Sequence, residues 1–223
     1  MFSVTFGELN SYDDLGLILA HKTISEPAIK TAYVSVPGGN GALDYTDYFG
    51  DPTFEDRTIS LEFLSLESWT DQMLSDSTVK NALHGRKMEI RCSDDPGWYW
   101  IGRISVGAWQ YDRGAGKLPI TIQAEPFKLA EAEKTLSRTF SLAYRITLSN
   151  AGRKPVVPTL DNTVAVRLTI TESDGSTTLI SYQPGEGQVV DDLILFPGDT
   201  TLTVTNIPQE EGTFTFHWRE GSL

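Results

Sequence analysis

The sequence predicts a mainly β protein in two domains, with one helix beside the strands of the first. Three observations carry this. Apolar and polar residues alternate with period two through most of the chain; one stretch only has helical spacing; and past Phe127 turn signals divide the chain into short strands.

Phe2 to Phe6 alternates, and Thr31 to Val36 is β-branched and aromatic, so both read as strands. Arg57 to Leu66 sets Ile59, Leu61 and Phe63 on one face against Thr58, Ser60 and Glu62, the pattern of a half-buried antiparallel strand. Ser68 then stands as a helix cap with Asp71 three positions on. Trp69 and Met73, and Val79 and Leu83, are spaced i, i+4, and Gly85 supplies a C-terminal stop. The spacing predicts a helix over Trp69 to His84, with a break expected in the poorly helical run Ser75-Asp76-Ser77-Thr78. Lys87 to Cys92, Trp98 to Trp109 and Leu118 to Ala124 resume the strand pattern.

Organisation changes near Pro126 and Phe127, with Ala130 to Lys134 as a charged linker, placing the domains at 1–130 and 131–223. Beyond it, turns at Ser173-Asp174-Gly175, Pro184 to Gly187 and Pro197-Gly198-Asp199 punctuate strands over Thr163 to Thr171, Thr177 to Tyr182, Gln188 to Phe196, Thr201 to Asn206 and Thr213 to Arg219. Strands of about 8–12 residue spacing divided this way predict a β-sandwich.

Composition narrows the function. With 39% hydrophobic and 22% charged residues in 223, the chain can bury a core without disulfides or metals. No apolar run reaches the roughly 20 residues of a membrane helix, and Met1 to Asn10 lacks the pattern of a secretory signal, so no membrane role is expected and the protein matures where it is made. A net charge of −12, negative in both domains, disfavours specific nucleic-acid binding, which needs clustered Lys and Arg. Cys92 is the single cysteine, and the histidines (His21, His84, His217) are scattered, so no metal site or other cofactor is expected.

No catalytic set stands out, and the chain is not expected to be an enzyme. Gly114-Ala115-Gly116-Lys117 lacks the first glycine and the following Ser or Thr of a phosphate loop and reads as a hairpin turn. The carboxylate pairs Asp13-Asp14, Asp94-Asp95, Asp191-Asp192 and Glu210-Glu211 read as turn residues, and Cys92, alternating with Ile90, as a small core residue. The strongest ligand candidate is Trp98-Tyr99-Trp100. In a strand Trp98 and Trp100 share a face and could stack a sugar, although rings of this size also fill cores and subunit contacts.

Several stretches together resemble the distal tail (Dit) protein family of phages that infect mostly Gram-positive bacteria. Phe6-Gly7-Glu8-Leu9-Asn10-Ser11 with Leu15-Gly16-Leu17 is similar to the family's opening strand and turn. The strongest match runs from Thr31 to Thr46: a strand, a turn with Pro37, Gly38 and Gly41, then Leu43-Asp44 and Thr46. Gly50, Arg57-Thr58-Ile59, Phe63, Leu83-His84-Gly85, Tyr99-Trp100 with Gly102-Arg103, and Pro126-Phe127-Lys128 also fit, as do Gly152 to Pro158, Leu195 to Gly198 and Trp218 to Leu223 in the second half.

The resemblance implies an N-terminal β-sandwich or barrel-like domain with one flanking helix that builds a ring, a hexamer around a DNA channel. It implies a C-terminal galectin-like, carbohydrate-module-like sandwich. The ring's partners would be the tail tube protein on one face and the tail-associated lysin or tip protein on the other, with the protein made in the host bacterial cytoplasm and residing at the virion tail tip. Receptor-binding proteins or host glycans are further partners, although the turns after residue 160 are too short to hold the arm that grips receptor-binding proteins in some relatives. The competing reading is a carbohydrate-binding module contacting host cell-wall polysaccharide.

Overall fold

The computed structural model describes residues 2–48, 51–65, 69–112, 115–171 and 176–223. The fold is mainly β and antiparallel, and it divides into two compact units, Met1–Lys128 and Leu129–Leu223.

The first unit contains β1 (Val4–Phe6), β2 (Leu9–Asn10), β3 (Ile18–Ile24), β4 (Tyr33–Ser35), β5 (Ala42–Asp44), β6 (Arg57–Ser65), α1 (Trp69–Leu83), β7 (Lys87–Cys92), β8 (Trp98–Val106), β9 (Gln110–Asp112) and β10 (Ala115–Ala124). The main sheet runs β2-β1-β7-β8-β10-β6-β3, with β9 paired to β10 and, among the described residues, β4 paired only to β5. β1 and β6 lie four strand spacings apart, roughly 19 Å in a flat sheet. Yet the Phe6 and Phe63 rings are 6.3 Å apart, so the sheet curls around its apolar face. The Lys22 ammonium of β3 likewise reaches Asp94, just past β7, at 2.6 Å. This curl encloses a core of Val4, Phe6, Ile59, Phe63, Ile90, Ile104, Leu118, Ile120 and Ile122. Val79 and Leu83 of α1 join that core, and Gly85 ends the helix at φ 77°. The helix is continuous across Ser75 to Thr78: packing of Val79 and Leu83, with an Asp76–Lys80 pair at 2.7 Å, outweighs local propensity. The Ser68 cap, Gly50, Gly114 and the Ser173-Asp174-Gly175 turn lie outside the described residues, as do the side chains of Trp69 and Met73.

After β11 (Lys128–Ala130), which begins on the last residue of the first unit, the second unit contains β12 (Lys134–Phe140), β13 (Ala143–Asn150), β14 (Thr159–Asn162), β15 (Val166–Thr171), β16 (Thr177–Tyr182), β17 (Gly185–Val189), β18 (Gly198–Asn206), β19 (Gly212–Trp218) and β20 (Gly221–Ser222). Two four-stranded sheets, β12-β19-β14-β17 and β13-β18-β15-β16, face each other across Phe140, Leu148, Leu160, Leu168, Leu195, Val204, Phe214 and Phe216. The expected strand over Gln188 to Phe196 stops at Val189, after which Leu193 and Leu195 enter the core from a non-strand segment. Ala130 to Lys134 is tied down rather than free: Ala130 N–H donates to Glu220 O at 2.9 Å, and Arg219 donates to the Ala130 and Glu131 carbonyls. Three buried asparagines staple the turns, Asn150 to the Lys154 and Leu195 carbonyls, Asn162 to those of Val164 and Gln183, and Asn206 to those of Phe140 and Glu210.

Candidate functional site

Between β3 and β6 the chain leaves the first unit's sheet and returns, and this excursion is an arm built of two antiparallel legs. Ser25 N–H donates to Thr58 O at 2.9 Å, Glu55 N–H to Ala28 O at 2.8 Å and Lys30 N–H to Thr53 O at 2.8 Å, with a bridge between Ile29 and Phe54. The legs continue into the β4–β5 hairpin, where Tyr33 faces Asp44, Val34 faces Leu43 and Ser35 faces Ala42. The turn needs left-handed backbone at Gly38 (φ 79°) and Gly41 (φ 78°), with Pro37 leading in. Beyond the hairpin, Asp44 accepts the Thr46 N–H at 2.9 Å and Thr46 Oγ1 accepts the Ala32 N–H at 3.2 Å. The Thr46 hydrogen bonds hold the Asp44 carboxyl below its usual range. Pro37, Gly38, Gly41, Asp44 and Thr46 therefore act together to shape this hairpin.

What the hairpin presents is unusual for a free surface. Tyr33 is 61% exposed, Leu43 50% and Tyr48 70%, and Ile29, Val34, Val36 and Tyr45 are exposed as well. A two-stranded hairpin standing off its sheet with apolar side chains on both faces marks an interaction surface.

At the root of the arm sits Arg57. It has the parity of Ile59 and Leu61 and so points into the curled sheet, where it is 4% exposed. Its guanidinium crosses β10 to lie 4.5 Å from the centre of the Trp100 ring on β8. The crossing is open because its neighbours in register, Ala124 on β10 and then Gly102 on β8, are small. Nε and Nη2 are shut off from solvent without a hydrogen-bond acceptor among the described residues. Burial pushes the guanidinium below its usual value, and the Glu26 charge acts in the opposite direction. Phe127, following Pro126, stacks edge-on against Phe54 of the arm at 5.7 Å. The signal for Arg57 in the sequence is a cation in phase with the three apolar residues Ile59, Leu61 and Phe63 of its strand.

Trp98, Tyr99 and Trp100 do not form an open sugar platform. Trp100 is 4% exposed and belongs to the core, Trp98 is half-buried beneath the Lys128 ammonium, and Tyr99 is 7% exposed on the opposite face with Arg91 over its ring.

The other reactive side chains are engaged separately. His21 Nε2 meets Thr23 Oγ1 at 3.0 Å, and His84 Nδ1 accepts the Val106 N–H at 3.0 Å. Both ring nitrogens of His217 face carboxylates, Asp161 at 2.9 Å and Glu133 at 3.4 Å. Cys92 is buried, and that burial pushes its thiol up, away from the reactive thiolate. Asp94 and Asp95 point to different lysines, Lys22 and Lys128, the latter at 2.7 Å. On the second unit an open groove of about 390 Å³ is lined by residues that include Asp161, Asn162, Pro184, Glu186, Thr213 and Thr215.

No family model and no curated protein matches the sequence. Among solved structures the chain is similar to SPP1 Dit (gp 19.1), a protein described as a paradigm of the hub adsorption apparatus in phages infecting Gram-positive bacteria. Identity is 15%, the match covers 100% of both chains, and the TM-score is 0.71. The likeness establishes that the chain has the Dit fold over its whole length.

Proposed function

We propose that this chain is a structural, non-enzymatic hub protein of a phage tail tip. Copies of it form a ring, read as a hexamer, that joins the tail tube to the tail-associated lysin or adhesion apparatus and leaves a passage for DNA. The observation that carries this reading is the end-to-end agreement in fold with SPP1 Dit, both units included. The exposed apolar arm supports it, because a cyclic ring needs each copy to offer two different complementary surfaces. A hairpin with exposed apolar side chains on both faces, and with no further strand paired to it among the described residues, suits one of them.

The domain roles follow. The first unit, with the arm, builds the ring, and the second supplies a galectin-like sandwich. Light scattering coupled to size exclusion, with electron microscopy of the purified full chain, tests the reading. A closed ring supports it, and a monomer at every concentration up to the millimolar range would refute it. Location at the virion tail tip is tested by gold-labelled antibody on intact particles, where label on the capsid instead would count against it.

A further inference from the structure

We propose that the C-terminal end of α1 and the solvent face of β8 and β10 beside it form a binding site for a phosphate group. The site belongs to the single chain and needs no second copy.

Acid exceeds base in this protein, 30 residues to 18, and most cations of the first unit are neutralised one by one. Lys22, Lys80, Lys87, Arg91, Lys117 and Lys128 each pair with a carboxylate within 3.4 Å. Arg86 and Arg103 are exposed and have carbonyl partners instead. Arg86 Nη2 donates to Asn81 O at 3.2 Å and Arg103 Nη1 to Gly85 O at 2.7 Å, both at the end of the helix. One bond fixes each fork in place, and its other N–H groups have no acceptor among the described residues.

Two open grooves meet at these arginines and share His84 as a wall. One, of about 520 Å³, is lined by Lys80, Asn81, His84, Arg86 and Val106. In the other, of about 320 Å³, Arg103 and Ser105 of β8 stand opposite Gln123 and Thr121 of β10 in register. No carboxylate lines either groove among the described residues, and the neighbouring Asp76 and Glu125 are taken up by Lys80 and Lys87 at 2.7 Å. His84 Nδ1 accepts the Val106 N–H, so the neutral ring carries its proton on Nε2 and has a donor to offer. Capping of the helix end accounts for one hydrogen bond per arginine. It does not account for hydroxyls, an amide and a ring N–H gathered around two cations that lack a carboxylate. These donors exceed what the two oxygens of a carboxylate accept; the three terminal oxygens and nearly double charge of a phosphate group match them.

The three histidines give the test its readout. Ring signals of His21, His84 and His217 in the full-length protein are followed by NMR during titration with inorganic phosphate, glycerol phosphate or acetate at fixed pH and ionic strength. His84 is assigned by the signal lost in His84→Gln. Inorganic phosphate is expected to shift His84 saturably, with a Kd on the order of 1 mM, and to leave the other two in place. Acetate is expected to bind at least about 10-fold more weakly. Arg86→Gln and Arg103→Gln should each weaken phosphate binding by about 10-fold or more, whereas Lys117→Gln, which removes the same charge elsewhere, should leave it unchanged. Tighter binding of glycerol phosphate marks an ester as the occupant and the reverse order marks the free ion; both orders support the site.

Absence of a saturable His84 shift up to about 10 mM phosphate overturns the inference. So do equal shifts at all three histidines, acetate binding as tight as phosphate binding, or an equal loss in Lys117→Gln. The titration of the unsubstituted protein decides between these outcomes even where an arginine variant fails to fold.

Discussion

A Cβ on Gly102 would lie 2.5 Å from Ile122 Cγ2, 2.9 Å from the Gln123 carbonyl oxygen and 3.0 Å from Ala124 Cα. Two of these are backbone atoms of the neighbouring strand, so a methyl group there forces β8 and β10 apart where Arg57 must cross. Gly102→Ala is expected to destabilise the fold by about 1–3 kcal/mol, measured by chemical denaturation, despite alanine's better strand entropy. At Asp94 the Lys22 hydrogen bond is the largest influence and holds the carboxyl below its usual value. A depressed folded-state value gives stability that is present above the unfolded value near 3.8 and is lost as pH falls through the folded one. Asp94→Asn should therefore cost less than about 1 kcal/mol at pH 7, as suits a partly exposed pair, and the difference from the parent should shrink in melts taken below pH 3.8. A difference that grows with acid would contradict the assignment.

The arm draws its order from its own ladder and turn, and β4 and β5 pair only with each other among the described residues. Charges placed on its faces should then leave folding intact. Tyr33→Asp combined with Leu43→Asp is expected to abolish self-association while moving the melting temperature by less than about 3 °C, since exposed substitutions rarely exceed about 0.5 kcal/mol. A large fall in melting temperature would show that the hairpin packs on the core instead. The elements also show what was legible in the sequence. β6 and β7 lie close to the bounds their sequence predicts, because each buries one regular face and the period survives in the residues; β16 and α1 do so through other signals, β-branched residues after a turn in β16 and the i, i+4 pair Val79 and Leu83 before Gly85 in α1. β12 and β13 were not found: outward positions such as Ser137, Thr139, Arg145 and Thr147 are polar, but the strands' first halves hold few buried residues to set the phase. The motif residues of the hairpin were legible as a turn, whereas the exposure of its apolar side chains was not. A run such as Thr31 to Val36 reads the same whether it lines a core or stands in solvent, and only the three-dimensional pairing separates the two. The burial of Trp100 was hidden for the same reason.

Each unit closes its own core, and both carry excess negative charge, for a net of −12 per chain. In the proposed ring, like-charged copies would concentrate that charge, and the repulsion would oppose assembly while leaving apolar contacts of the arm unaffected. Salt should then act in a definite direction. Raising the ionic strength from 0.01 M to 0.1 M shortens the screening length from about 30 Å to about 10 Å, which removes most repulsion between exposed charges on neighbouring copies. Self-association of the protein is therefore expected to tighten with salt. Sedimentation velocity at both ionic strengths checks this. Weakening with salt would mean that exposed ion pairs rather than apolar contacts hold the copies together.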